Sequence, residues 1–294
     1  MKFATAALGF LLLPIVSLSQ SNYPPEIPGA RVETFRSIDD VDLRVWIFDP
    51  DGHDASQSRA AVVFFFGGGF RAGTPAQFQN QARHLASRGM VAIAADYRVL
   101  NRHGTTIDVA INDAKASIRW VRRHAERLGV DPNRIAAAGG SAGGQLAAAT
   151  ALLPGFDGPS DDVDIRSTPD ALALFNPGVI MAAVAGNPEV DPLGGSPELR
   201  GQVSRESLSP YHHVGPGSPP TIIFHGKDDS TIPYSHVELF TGAMLAADNQ
   251  CELVGYEGSD HGFFNFGRGD GTAYEDTLRR TDAFFVSLGW LSEP

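Results

Sequence analysis

The stretch Ile135-Ala-Ala-Ala-Gly-Gly-Ser141-Ala-Gly-Gly144 constrains the fold more than any other part of this chain. Ile135 to Ala138 is an apolar run of strand type, and Gln145 to Leu152 forms helix readily. Between them lies Gly-Gly-Ser-Ala-Gly. Strand, Gly-x-Ser-x-Gly and helix in that order is what a nucleophile elbow requires. The turn is so sharp that the serine's neighbours must be nearly without side chains, and Gly139 and Gly143 let strand and helix approach closely. The geometry lifts the Ser141 hydroxyl clear of a sheet and sets the next backbone N–H groups at a helix N-terminus, where developing negative charge is stabilised. A five-residue pattern alone is a weak signal, since many Gly-rich turns precede helices. Its weight depends on the rest of the chain.

Apolar runs at Ala61–Phe66 and Met90–Ala95 read as strands buried on both faces of a sheet. Val32–Phe35 and Val41–Phe48 precede them as two further strands, the second alternating Val41, Leu43, Val45 and Ile47. Ala171–Phe175, Thr221–Phe224 and Glu252–Tyr256 continue the series. Helical patterns fall at Gln77–Arg88, Ile107–Leu128, Tyr234–Ala247 and Tyr274–Leu288, the first two stopped by Gly89 and Gly129. Strands alternating with helices of this length predict βαβ units and a mostly parallel, doubly wound α/β sheet. Pro154–Pro169 and Gly178–Pro220 break the rhythm. Both are read as insertions over the strand C-termini, where an open α/β sheet binds ligands.

The first twenty residues carry Lys2, then an apolar core of about a dozen residues, then small residues at Ser17 and Ser19. This is the pattern of a secretory signal peptide, 1–19, ahead of a single domain, 20–294, and it predicts export. The run is shorter than the ~20 residues a membrane span needs, so no stable anchor is expected. A formal charge of −11 with no basic run argues against nucleic acid as a partner. Cys251 is the one cysteine, which excludes an intrachain disulfide. Oligomeric state is not legible here.

A serine hydroxyl needs a base within hydrogen-bond reach and a carboxylate to orient that base. Downstream of Ser141, two segments that each follow a predicted strand offer them: His225-Gly-Lys-Asp-Asp229-Ser-Thr-Ile-Pro233 and Gly258-Ser-Asp-His261-Gly-Phe263. Their order, Ser, Asp, His, is that of the α/β-hydrolase class. With these residues the chain resembles the α/β-hydrolase superfamily, and within it the esterase/lipase group related to hormone-sensitive lipase and bacterial acetyl esterases. The resemblance implies an α/β-hydrolase fold with a small lid formed by the insertions. It implies Ser141 as nucleophile and His261 as general base, then acid. The family's His-Gly-x-x-Asp-x-x-x-Pro pattern lands on His225, Gly226, Asp229 and Pro233, which makes Asp229 the triad acid, Asp228 its near alternative and His225 structural.

Phe66-Gly67-Gly68-Gly69-Phe70 stands where these esterases carry His-Gly-Gly-Gly. By that match Gly68 and Gly69, with Ala142 from the elbow, supply the oxyanion donors. Phe66 replaces the family's His, which leaves open what anchors the loop. Asp96-Tyr97-Arg98 resembles a segment of structural role. Phe70, Phe263 and Phe264 are candidate walls of an acyl pocket, although core packing accounts for aromatics equally well. Arg102-His103-Gly104-Thr105 is a polar loop near the expected mouth, and His103 is a candidate substrate contact. Tyr211-His212-His213 lacks a second ligand pair at metal spacing and reads as a turn. No metal or organic cofactor is implied. The expected substrate is a carboxylic ester, small or on a polysaccharide. The competing readings are a serine peptidase of the same fold, whose usual extra domain has no room here, and a non-catalytic binding protein.

Overall fold

The computed structural model describes residues 23–193 and 195–293. The expected signal peptide lies outside the described residues. Eight strands form one sheet: β1 (Arg31–Ile38), β2 (Val41–Phe48), β3 (Arg59–Phe65), β4 (Val91–Ala95), β5 (Val130–Gly140), β6 (Ala171–Phe175), β7 (Thr221–Gly226) and β8 (Cys251–Tyr256). Their spatial order is β1-β2-β4-β3-β5-β6-β7-β8. β2 is antiparallel to both β1 and β4, and every other pair is parallel. The helices are α1 (Gln79–Ser87), α2 (Leu100–His103), α3 (Ile107–Arg123), α4 (Ala125–Leu128), α5 (Ala142–Leu152), α6 (Pro197–Arg200), α7 (Tyr234–Ala246) and α8 (Thr272–Ser287). This is the doubly wound α/β-hydrolase architecture. Among the described residues no helix is long and apolar enough to cross a membrane.

The pleat of β3 explains its unbroken apolar run. Val63 and Phe65 point into a core shared with α3, α5 and α7, whereas Val62 and Phe64 point into a second core under α1 and α8. Each such side chain, fully buried, stabilises the fold by about 1.5–3 kcal/mol. Helix α5, made of Ala, Gly and Leu with only Gln145 and Thr150 polar, is buried almost all round.

Two expectations need correcting. The helix expected over Ile107–Leu128 is broken at His124, whose Nδ1 lies 2.8 Å from the Trp120 carbonyl oxygen. The ring competes there for the helix's own acceptor, and the short α4 follows. The other correction concerns 154–169, which is not over the strand C-termini. A helix that starts at Ser141 runs back antiparallel to the strands, so the chain leaving Leu152 emerges far from the elbow. It packs on α3 and β1 instead: Asn112 donates to the Phe156 carbonyl at 2.9 Å, and Arg119 pairs with Asp157 at 2.7 Å. Only 178–220, which leaves the C-terminal end of β6, covers the site.

Candidate active site

Ser141 joins β5 to α5 with φ 55° and ψ −120°, a left-handed conformation that costs a non-glycine residue on the order of 1–3 kcal/mol. The surrounding glycines make the turn possible. A Cβ on Gly139 would lie 2.4 Å from the Gly143 carbonyl oxygen, and one on Gly143 would lie 2.0 Å from that of Phe65. The Ser141 amide donates to the Phe175 carbonyl at 2.9 Å, so the elbow is tied to β6 as well.

The Ser141 hydroxyl lies 2.9 Å from His261 Nε2, and His261 Nδ1 lies 2.7 Å from Asp229 Oδ2. The carboxylate's other oxygen accepts from the Thr231 and Ile232 amides at 2.8 and 2.9 Å. Burial pushes the Asp229 carboxyl up, but the hydrogen bonds from His261, Ile232 and Thr231 outweigh it and hold the group below the ordinary carboxylate value. An ionised Asp229 fixes the His261 tautomer with hydrogen on Nδ1, which leaves Nε2 free to accept from Ser141. Asp228 is exposed to solvent, and of the two neighbouring carboxylates it is Asp229 that meets His261. His225 is fully buried and donates from Nε2 to the Ile232 carbonyl at 2.8 Å, bracing the turn that carries Asp229. Burial holds its imidazole below the ordinary value, hence neutral.

In the loop after β3, Gly68 has φ 125° and Gly69 φ 62°. A Cβ on Gly68 would lie 2.2 Å from the Ala72 carbonyl oxygen, whereas one on Gly69 meets nothing. Among the described residues the Gly68, Gly69 and Ala142 amides donate to no protein acceptor, while the Gly67 amide is taken by Gln77 Oε1 at 2.6 Å. Gly69 and Ala142 both line the cavity beside Ser141. Phe66 answers the question its presence raised. Its ring stacks on Tyr97 at 4.1 Å, and the Tyr97 hydroxyl donates to the Phe66 carbonyl at 2.7 Å. Gln77, held in turn by Asn265 at 3.0 Å, completes the anchorage.

The cavity has a volume of about 160 Å³, and Phe70, Ile107, Met181, Leu193, Leu199 and Ile232 give it an apolar wall. Of the candidate substrate contacts, Phe70 is there. His103 is not: its Nδ1 accepts from the Val99 amide at 3.0 Å, closing the α2 turn, and it lines a separate open depression with Tyr23 and Arg102. Nor is Phe263, whose ring packs tilted against Tyr256, centroids 4.7 Å apart, in the core under α8. Gly262, with φ 86°, turns the chain back into that core directly after His261. His212 lies 3.0 Å from the Ala183 carbonyl and His213 the same distance from that of Glu206, so both brace 178–220. Asn176, not singled out in the sequence, lies against the His261 ring with Nδ2 3.1 Å from Nδ1 and 3.2 Å from Nε2. Its place directly after a predicted strand was the available signal.

Fold and site together define an α/β-hydrolase with a serine-centred site. The BD-FAE family model matches residues 47–244, and that of the dienelactone hydrolase family matches residues 208–288. The chain therefore belongs to the BD-FAE family and stands among α/β-hydrolase serine esterases. Similar curated proteins include the probable carboxylic ester hydrolase LipM of Mycobacterium tuberculosis, 29% identical over 65% of this chain and 46% of that protein. Carboxylesterase NlhH of the same organism is 34% identical over 46% of this chain and 43% of its own length. The chain thus spans about half the length of the curated relatives it matches. Among solved structures, apo Thermogutta terrifontis esterase 2 is 47% identical over 93% of this chain and all of its own, with a TM-score of 0.86. Its butyrate-bound form aligns at 47% identity over 94% and 100% of the two chains, with a TM-score of 0.88.

Proposed function

We propose that this protein hydrolyses carboxylic esters of short acyl chain through an acyl-enzyme on Ser141. The Ser141 oxygen attacks the ester carbonyl while His261 Nε2 takes its proton, and Asp229 stabilises the imidazolium. The oxyanion is received by the Gly68, Gly69 and Ala142 amides. His261 returns the proton to the departing alcohol, then takes one from water, which attacks the acyl carbon and releases the acid. The observation that carries this reading is the hydrogen-bonded line Ser141–His261–Asp229 opening on an apolar cavity of about 160 Å³. A volume that small suits a short acyl group. Solved structures of Thermogutta terrifontis esterase 2 include propionate-bound and butyrate-bound forms, which supports a preference in that range. With residues 1–19 read as an export signal, the natural substrates belong outside the cytoplasm, and acyl groups on polysaccharide are the class we favour.

The test is turnover of p-nitrophenyl acetate, butyrate and octanoate by the wild type and three variants. Ser141→Ala loses about 10⁴- to 10⁶-fold in kcat, and Asp229→Ala roughly 10⁴-fold. Asp228→Ala stays within about twofold, as exposed positions away from chemistry do. Turnover that survives Ser141→Ala removes the nucleophile. Peptide cleavage without ester cleavage moves the protein to the peptidases. Sequencing the N-terminus of exported protein tests the leader, and an intact Met1 there refutes it.

A further inference from the structure

Asn176 closes the C-terminal end of β6, between the elbow that carries Ser141 and the β7 turn that carries Asp229. It is fully buried, its amide donates to the Phe224 carbonyl at 2.7 Å, and its backbone has φ 34°. The side chain does something unusual. Nδ2 is nearly equidistant from the two nitrogens of His261, at 3.1 and 3.2 Å. In the plane of the ring those nitrogens are already engaged, Nδ1 by Asp229 and Nε2 by Ser141. An atom so placed lies over the face of the imidazole. Oδ1, on the other branch of the amide, is buried without a partner among the described residues.

His261 itself stands on a loop, at the start of the turn that runs from His261 to Phe264, and its side chain is a quarter exposed. Two in-plane hydrogen bonds leave such a ring free to tilt about the line joining them. A buried amide at the end of a central strand blocks that tilt, because strand ends are held more rigidly than loops. On this basis we infer that Asn176 is a positioning residue that holds the His261 imidazole face in the Ser141–Asp229 line and presents it a neutral dipole instead of a charge. The inference rests on the ester-hydrolase reading. The charged or titratable groups facing the ring are Asp229 and, behind it, His225, while neighbouring Asp260 is turned out to Arg268 at 3.0 Å.

The alternative is that Asn176 is there only because its φ is positive, a region where Asn, Asp and Gly are the tolerated residues. Two variants separate the readings, since Gly and Asp both satisfy that backbone. The measurement is the pH–rate profile for p-nitrophenyl acetate, with kcat and KM resolved, beside Ser141→Ala. Asn176→Gly should lower kcat by about 10- to 100-fold with KM little changed, the scale of loss when a reacting group is misplaced. Asn176→Asp keeps the shape but sets a carboxylate against the ring, which favours imidazolium, so its acid limb should move about one pH unit upward. An unmoved limb in Asn176→Asp overturns the inference, as does wild-type kcat in Asn176→Gly. Wild-type protein without Ser141-dependent turnover would instead defeat the ester-hydrolase reading. In that case, or if neither variant folds, the side-chain amide protons of wild-type Asn176 decide. Protons over a ring face are shifted upfield, and an unshifted pair overturns the placement.

Discussion

Segments 154–169 and 178–220 both interrupt the alternation of strand and helix, and both are rich in Gly, Pro and polar residues. The first is held by charge. Asp161, with its side chain 7% exposed, lies 3.4 Å from Arg36 and 3.9 Å from Arg119, and accepts from the Asn112 amide and the Gly158 N–H at 2.6 Å each. The second is held mainly by apolar packing and neutral hydrogen bonds, with an exposed ion pair, Glu198 to Arg71 at 3.3 Å. Gln145 donates to the Leu208 carbonyl at 2.8 Å, and Met181, Leu193 and Leu199 face the cavity. Similar composition has thus been put to different ends, a brace along α3 and a roof over Ser141. What separates them is the direction of the element each one follows: α5 carries the chain away from the elbow, whereas β6 delivers it there.

The largest expected effect separates stability from activity. Asp161→Ala takes one acceptor each from Arg36, Arg119, Asn112 and the Gly158 N–H, leaves the remaining partners of the three side chains in place, and should cost roughly 1–3 kcal/mol. Urea denaturation measures that loss. Because the segment is remote from the site, kcat/KM per folded molecule should stay at the wild-type value, and a drop would erase the distinction between brace and roof. In the roof the expectation is reversed. Leu199→Ala widens the cavity by three carbons and should raise the ratio of kcat/KM for hexanoate over acetate by about tenfold, a step of ~1.4 kcal/mol. An unchanged chain-length profile would mean that the roof does not bound the acyl group.

The smallest effect is a pH dependence. Next to the roof, α7 carries His236, fully buried and set against Asp191; burial holds its imidazole below the ordinary 6.5, as it does for His225. As pH falls through about 6.5 the unfolded chain takes up these protons before the folded one does, so stability declines from there downward. Asp96 acts oppositely. Burial raises its carboxyl to about 6, so the folded state keeps that proton longer and gains stability as pH falls below that value. In an Asp96→Asn background, His236→Leu should flatten the acid decline by at most ~1.4 kcal/mol per pH unit, the limit for one proton. Equal slopes with and without His236 would remove the roof from the acid response.

Much of the site was legible because its requirements are local. Ser141 needed small neighbours within two residues, and Gly139, Ala142 and Gly143 are adjacent in the chain. Asp229 and His261 each follow an apolar strand, so their arrival at one sheet edge followed from the parallel order. His103 and Phe263 misled because a polar loop and an aromatic next to a site carry no sign of which way they face. His103 turned back to cap α2, and Phe263 turned into the core. Asn176 was missed for the opposite reason: a single Asn after a strand looks like an ordinary turn residue, and its meaning lies in a ring supplied by a residue far along the chain.

The sequence by itself determined the alternation of strands and helices, the elbow and the order Ser, Asp, His. Backbone sterics and apolar periodicity act over a few residues, and such rules can be read along a chain. Only the tertiary structure decided that Asp229 and not Asp228 is turned inward, that Tyr97 and Gln77 anchor the loop where Phe66 stands, and that one insertion roofs the cavity while the other braces α3. Those outcomes depend on which distant surfaces meet, and contact between distant surfaces is fixed by the packing of the whole core.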